Sequence, residues 1–139
     1  HRRLRHAHRK VARHDDFVSI NTAIEIDLFG QVNAEYVGGH EYSGSGGQYD
    51  FVKGASLAKG GRSIVALAST AKKGTRSTIV PRVPMVTDLR TDVEWVATEH
   101  GLVNLRGRST RERAEALISI AHPDFRAELA AEARRIALV

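Results

Sequence analysis

The stretch RSIVALAST, residues 62–70, decides the fold class. Its apolar run from Ile64 to Ala68 is continuous and has the length of a strand. Such a run is typical of a strand buried on both faces of an α/β sheet. Strand and helix signals alternate on both sides of it along the chain, and no internal repeat interrupts them. The sequence therefore predicts a single α/β domain.

The chain before this strand carries strand signals first and a helix signal second. Residues 17–39 alternate apolar and polar positions at period two, which predicts a hairpin or a pair of strands. Residues 48–58 then predict a short helix, although a glycine within it weakens the pattern. The apolar positions on one side of that helix are Phe51, Ala55 and Ala58.

The chain after the strand begins with a loop and ends with helices. Residues 71–84 predict a loop with a strand-like segment, and residues 92–101 predict a strand that ends at Gly101.

Two helices close the sequence. Ser109 and Glu112 have the spacing of a capping box and predict a helix over residues 109–121. Pro123 opens a final helix over residues 123–137, and we interpret Asp124 as its cap.

Composition excludes several classes of protein. A chain of 139 residues with 42% hydrophobic content suits one domain with a buried core. It holds no apolar run long enough to span a membrane, no apolar segment behind the first arginines, and no cysteine, so we expect a cytoplasmic protein. The missing thiols exclude Cys₂His₂-type zinc sites, and the histidines near the start have no second cluster. We therefore predict no metal site.

The net charge of +5 is concentrated at one end of the chain. Residues 1–14 hold six arginines and lysines and no acid, whereas the rest is nearly neutral. We interpret residues 1–16 as a basic connector or leader and residues 17–139 as the domain. A phosphate-binding arm is the alternative, but the segment lacks interleaved aromatic residues, so we expect no nucleic-acid partner.

The segment SGSGGQYDF, residues 43–51, places three glycines within four positions just before the predicted helix. The amides of Gly46, Gly47 and Gln48 then lie near a helix N-terminus, which favours a phosphate, a carboxylate or a developing oxyanion. The segment is neither a G-x-G-x-x-G fingerprint nor a P-loop, because it lacks the third glycine and the lysine. A tight turn with close strand-to-helix packing is the alternative.

Three long motifs in order carry a family resemblance: SINTAIEIDLFGQVNAE, YSGSGGQYDFVKGASLAKGGRSIVALAST and VEWVATEHGLVNLRGRSTRERAEALISIAHPDF. Together they resemble the C-terminal domain of the acetyl-CoA hydrolase/transferase family, which includes 4-hydroxybutyrate and succinyl-CoA:acetate CoA-transferases. The resemblance implies an α/β fold of the NagB/RpiA/CoA-transferase type, with an open sheet flanked by helices. It also implies a role in acetate metabolism, with coenzyme A as a substrate and no permanently bound cofactor.

The mechanism that the resemblance implies needs a glutamate nucleophile. That glutamate attacks an acyl-CoA thioester, and a glutamyl-CoA thioester then passes CoA to a carboxylate or loses it to water. In relatives it lies upstream, in a motif resembling HSEM or HTEM that is absent here, and Glu25 and Glu35 do not match it. We therefore expect a fragment or a short natural protein whose partner is the missing N-terminal half or a second copy.

The resemblance assigns roles to five residues. Gly47 would supply an oxyanion-hole amide, and Ser43 and Gly46 would shape the CoA pocket. Lys72 would contact CoA, and Glu99 would support catalysis by orienting groups around the nucleophile.

A second class of function stays open. The domain could be a noncatalytic CoA-binding or protein-interaction module derived from the family. His122 precedes Pro123 and Asp124, and we interpret this segment as capping the last helix through Asp124 rather than as supplying a general base.

Overall fold

The computed structural model describes residues 7–136 and residue 138. The elements in chain order are α1 (Ala7–Val11), β1 (Val18–Thr22), β2 (Glu25–Asp27), β3 (Val32–Asn33), β4 (Tyr36–Val37), β5 (His40–Glu41), α2 (Gln48–Leu57), β6 (Arg62–Ala66), β7 (Thr70–Ala71), β8 (Arg76–Ser77), β9 (Ile79–Val80), β10 (Trp95–Thr98), β11 (Gly101–Asn104), α3 (Thr110–Ser119) and α4 (Pro123–Arg135).

The main sheet has four strands in the order β1-β6-β10-β11. Strands β1, β6 and β10 are parallel, and β11 runs antiparallel to β10. The stretch RSIVALAST therefore begins with β6, an inner strand between two parallel neighbours. The α/β prediction is confirmed.

One face of this sheet is open, which corrects the expectation that β6 is buried on both faces. Ser63 and Val65 point into the core, whereas Ile64 on the opposite face is only half-buried. Strand register places Ile20 and Trp95 beside Ile64 on that side. We call Val18, Ile20, Ile64, Trp95 and Leu102 the open sheet face. Ile20 is 67% exposed and Leu102 is 55% exposed.

Smaller sheets surround the main one. Strands β3, β2 and β9 form a three-stranded sheet, and β4–β5 and β7–β8 are two-stranded hairpins. The hairpin predicted within residues 17–39 is confirmed for β2 and β3. Strand β1 instead pairs with β6, because its partner is chosen by the tertiary fold rather than by its neighbours in sequence.

Helix α2 confirms the helix predicted over residues 48–58, but its buried side differs from the prediction. Val52 and Ala55 are fully buried, whereas Phe51 is 46% exposed. Phe51 stacks on Phe17 with ring centroids 6.5 Å apart, so it lies along the surface rather than in the core. Gly54 faces α1, where an added Cβ would lie 2.5 Å from the Cβ of Val11.

The two C-terminal helices form as predicted, with one correction. The capping box is confirmed: the Glu112 amide donates to the Ser109 hydroxyl oxygen, and the Ser109 amide donates to the Glu112 carboxylate at 2.7 Å. Helix α4 is capped by His122, whose Nδ1 accepts from the Asp124 amide at 3.2 Å. The prediction that Asp124 is the cap is wrong, because the imidazole already reaches the first free amide.

A further correction concerns Gly101, which begins β11 instead of ending the preceding strand. Glu99 and His100 form the turn between β10 and β11. Within the part of the chain that the structure describes, every helix is too short or too polar to cross a membrane. That same part holds no group of three or more acidic or histidine side chains that could bind a metal ion.

Candidate functional site

The carboxyl ends of the three parallel strands meet at one edge of the main sheet. An open hollow of about 620 Å³ lies there. Its lining consists of Thr22 and Ala23 at the end of β1, Ala66 to Ala68 at the end of β6, and Ala97 to Glu99 at the end of β10. Ligands of open α/β sheets bind at this edge, so the hollow is the first candidate for a site.

Glu99 is the charged side chain of this hollow, and Ser69 holds it. The Ser69 amide donates to Oε2 at 2.8 Å, and the Ser69 hydroxyl donates to Oε1 at 2.6 Å. These bonds favour the charged carboxylate and lower the pKa of Glu99 to about 2, with the hydroxyl as the largest cause. The side chain remains 50% exposed, so a ligand can still reach it.

The glycine-rich segment lies at the same edge, because of how α2 connects two strands. Only four residues separate the end of α2 from the start of β6. The C-terminus of α2 is therefore at the amino edge of the sheet, and its N-terminus is at the carboxyl edge, since the helix and the strands have comparable lengths.

The three glycines of this segment are exposed. Gly46 has a left-handed φ of +56°, and Gly47 is the N-cap of α2 without any side-chain cap. The amides of Gly44, Gly46 and Gly47 donate no hydrogen bond to any residue that the structure describes, and all three glycines are exposed. Such N–H groups at a helix N-terminus suit an anion.

Ser43 begins the segment and ties it to the β3–β4 connection. Its amide donates to the Glu35 carbonyl at 3.2 Å, and its hydroxyl lies 3.5 Å from the Ala34 carbonyl oxygen. The hydroxyl is exposed and weakly engaged, so it can turn toward a ligand.

The first residue of α2 makes a contact that sequence reasoning missed. The Gln48 side-chain amide donates to Oδ2 of Asp88 at 2.7 Å. Asp88 is fully buried, and its Oδ1 has no hydrogen-bond partner within residues 7–136 and 138. Burial raises the pKa of this carboxyl above its usual range. The pair anchors the start of α2, but it joins residues 40 positions apart and leaves no local signal.

Lys72 lies away from the hollow, in the turn of the β7–β8 hairpin. It has a left-handed φ of +49° and is exposed. It lines a separate pocket of about 130 Å³ that also contains Glu25 and Arg76, which form an ion pair. The structure thus places Glu99 in the hollow, the glycines at the same sheet edge, and Lys72 on a neighbouring hairpin.

A mainly parallel sheet with uncapped amides and a hydrogen-bonded carboxylate at its carboxyl edge defines the class: an open α/β domain with a candidate ligand site at that edge. The comparisons then give the family. The family model of the acetyl-CoA hydrolase/transferase C-terminal domain matches residues 3–133 of this chain. The chain therefore belongs to this family.

Named relatives agree with this assignment. The chain is 49% identical over 129 residues to a succinyl-CoA:cyclohexane-1-carboxylate CoA transferase of Geobacter metallireducens, covering 91% of this chain and 30% of the relative. The crystal structure of RipA from Yersinia pestis matches with a TM-score of 0.90 and 51% identity, covering 95% of this chain and 30% of RipA. A 4-hydroxybutyrate CoA-transferase from Porphyromonas gingivalis matches with a TM-score of 0.77 and 46% identity, covering 93% and 29%.

These comparisons confirm the resemblance and the CoA-transferase-like fold. The chain spans 30% of the length of the Geobacter relative and 21% to 30% of the length of other curated relatives that it matches.

Proposed function

We propose that this chain is the CoA-contacting part of an acyl-CoA:carboxylate CoA-transferase or acetyl-CoA hydrolase. It acts through a glutamyl-CoA thioester whose glutamate lies outside these residues. The observation that carries the proposal is the set of uncapped amides at Gly46 and Gly47, at the same sheet edge as Glu99. Membership of the family supports the substrate class.

In the proposed mechanism the Gly47 amide stabilises the oxyanion that forms when the thioester is attacked. A preorganised donor of this kind lowers such a barrier by roughly 2.7–4 kcal/mol. Ser43 and Gly46 shape the pocket beside it, and Lys72 contacts CoA. Glu99 acts as a permanently charged group near the reacting atoms, because its pKa of about 2 keeps it ionised at neutral pH.

The open sheet face supports the proposal that the domain acts with another part of an enzyme. Sheets built mainly from parallel strands are normally covered on both sides, yet here Val18, Ile20 and Leu102 are half or more exposed. We propose that the upstream part found in the relatives, or a second copy of the chain, covers this face. The acyl-CoA chemistry and the cysteine-free sequence fit a cytoplasmic setting.

The experiment that tests the function combines the chain with acetyl-CoA and acetate. One sample contains the chain alone, and the other adds the upstream part of the Geobacter relative. Borohydride or hydroxylamine traps a glutamyl thioester. We expect CoA binding in both samples and a trapped thioester only in the second. A thioester on the chain alone would contradict an external nucleophile, and failure to bind CoA would contradict the whole proposal.

A substitution at Gly47 sharpens this test. Alanine at this position meets its nearest atom at 3.7 Å, an ordinary contact with Phe51, so the fold should tolerate it. The new methyl group stands where the thioester must approach, and we expect Gly47→Ala to weaken acetyl-CoA binding. Gly44→Ala is the matched control, because it lies in the same loop with open space around it.

A further inference from the structure

Ser69 is fully buried and contacts both oxygens of the Glu99 carboxylate. Its amide donates to Oε2 and its hydroxyl to Oε1, and the His100 imidazole faces the same carboxylate with Nε2 3.8 Å from Oε1. Two bonds from a single residue restrict both the position and the rotation of the carboxylate. Ser69 is buried and the carboxylate is half exposed, so Ser69 determines the orientation of the carboxylate.

The same residue closes the base of the hairpin that carries Lys72. The Ser69 carbonyl accepts from the Thr78 amide at 3.1 Å, and the Thr78 hydroxyl donates to the Ala68 carbonyl at 2.5 Å. Strands β7 and β8 lie between these two residues, and Lys72 begins the turn that joins them. Ser69 and Thr78, which flank the hairpin, are therefore hydrogen-bonded to each other.

We propose that Ser69 is a positioning residue that fixes the Glu99 carboxylate relative to the Lys72 hairpin. This inference rests on the proposed function, because it concerns how two residues of that site keep one relative geometry. A ligand that contacts both Glu99 and the hairpin then meets a carboxylate held in one position relative to the hairpin backbone. The low pKa of Glu99 agrees with this arrangement, since the Ser69 hydroxyl is its largest cause.

The first test measures the titration of Glu99 in the full chain by NMR, without any ligand. Ser69→Ala removes the hydroxyl and leaves the amide bond. We expect the pKa of Glu99 to rise from about 2 by about 1–2 pH units, the equivalent of one lost bond to a charged group. The control is Ser77→Ala, which removes a hydroxyl of the same hairpin that bonds to the Ile79 carbonyl. An unchanged pKa in Ser69→Ala would overturn the proposal.

The second test asks whether Glu99 and the hairpin are coupled, and it does not depend on Ser69→Ala folding. Glu99→Ala removes the acceptor, and we expect the Thr78 amide, which bonds to Ser69, to exchange roughly threefold to tenfold faster. Glu115→Ala is the control, because its side chain is 53% exposed and lies on α3. Equal exchange rates in the two variants would overturn the coupling.

Neither test contains CoA, so their failure is distinguishable from failure of the proposed function. If wild-type chain does not bind CoA while Ser69→Ala still shifts the titration, the positioning role stands and the ligand is wrong. If CoA binds while neither readout moves, the function stands and Ser69 has no positioning role.

Discussion

Helices α2 and α3 have the same length of ten residues, but their N-termini are built in opposite ways. The N-cap of α3 is Ser109, where a complete capping box engages the amides of Ser109 and Glu112. Helix α2 begins at Gly47, where no side chain caps the helix. An uncapped end leaves favourable bonds unmade within the protein. The difference is that α3 is capped by its own side chains, whereas the N-terminus of α2 has no side-chain cap and leaves room for the anionic ligand of the proposed function.

The largest expected effect comes from adding a side-chain cap to the N-terminus of α2. Gly47→Asp supplies a side-chain cap and a negative charge, so we expect α2 to gain a few tenths of a kcal/mol. The same carboxylate occupies and repels the anion position, and CoA affinity should fall by roughly tenfold or more. Calorimetric titration and thermal unfolding measure the two effects. Gly44→Asp adds the same charge three positions away and should weaken binding less. Equal losses in both variants would contradict a specific role for the Gly47 end.

The backbone of the glycine-rich segment gives the next effect. Gly46 has a left-handed φ, so Gly46→Ala should lower the free energy of unfolding by about 1–2 kcal/mol. Nothing lies within 4 Å of the added Cβ, and the cost is therefore conformational rather than steric. Gly44→Ala has the same open surroundings without the left-handed φ and should stay near wild type. Chemical denaturation compares the two, and an equal cost would remove the conformational explanation.

Removing the capping box of α3 should destabilise the protein without changing its affinity for CoA. Ser109→Ala removes the hydroxyl that accepts from the Glu112 amide, and we expect a loss of about 1 kcal/mol. CoA affinity should not change, because this end is structural. Thr110→Ala at the next, exposed position is the control and should be nearly neutral. A marked loss of CoA affinity in Ser109→Ala would weaken the contrast between the two helix ends.

The smallest effect is the pH dependence of the same capping box. The Ser109 amide, followed by its hydroxyl, holds the pKa of Glu112 below its ordinary value of 4.5. A lowered pKa contributes stability above pH 4.5, and this contribution is lost as pH falls through the folded-state value. Glu112→Gln cannot ionise, so the stability difference between wild type and this variant should shrink below pH 4.5. A difference that stays constant down to pH 2 would show that the charge of Glu112 contributes nothing.

The sequence predicted best what is encoded locally. The capping box of α3 needs only Ser109 and Glu112, three positions apart, and it formed as predicted. The α2 N-terminus was likewise predicted from consecutive glycines before a helix pattern. Strand β6 was recognised from its apolar run, although only one of its faces is buried in this structure.

Contacts between distant residues could not be predicted. Period-two alternation identifies a strand but not its partner, so β1 was grouped with β2 although it pairs with β6. The bonds between Ser69 and Glu99 join residues 30 positions apart. The available signal was a serine directly after a buried strand, where a polar group must find a partner. That signal identifies the need for a partner but not Glu99 itself.

The close approach of α1 and α2 at Gly54 limits how the domain can be shortened or varied. Any side chain at this position would overlap Val11 and come within 2.9 Å of the His8 carbonyl oxygen. Only glycine fits at this position while α1 is in place, because the two helices pack in direct contact there. Deleting residues 1–16 would remove α1, which packs against α2, and α2 directly follows the glycines of the glycine-rich segment. A truncation intended to remove a basic leader would therefore weaken the support of the candidate site.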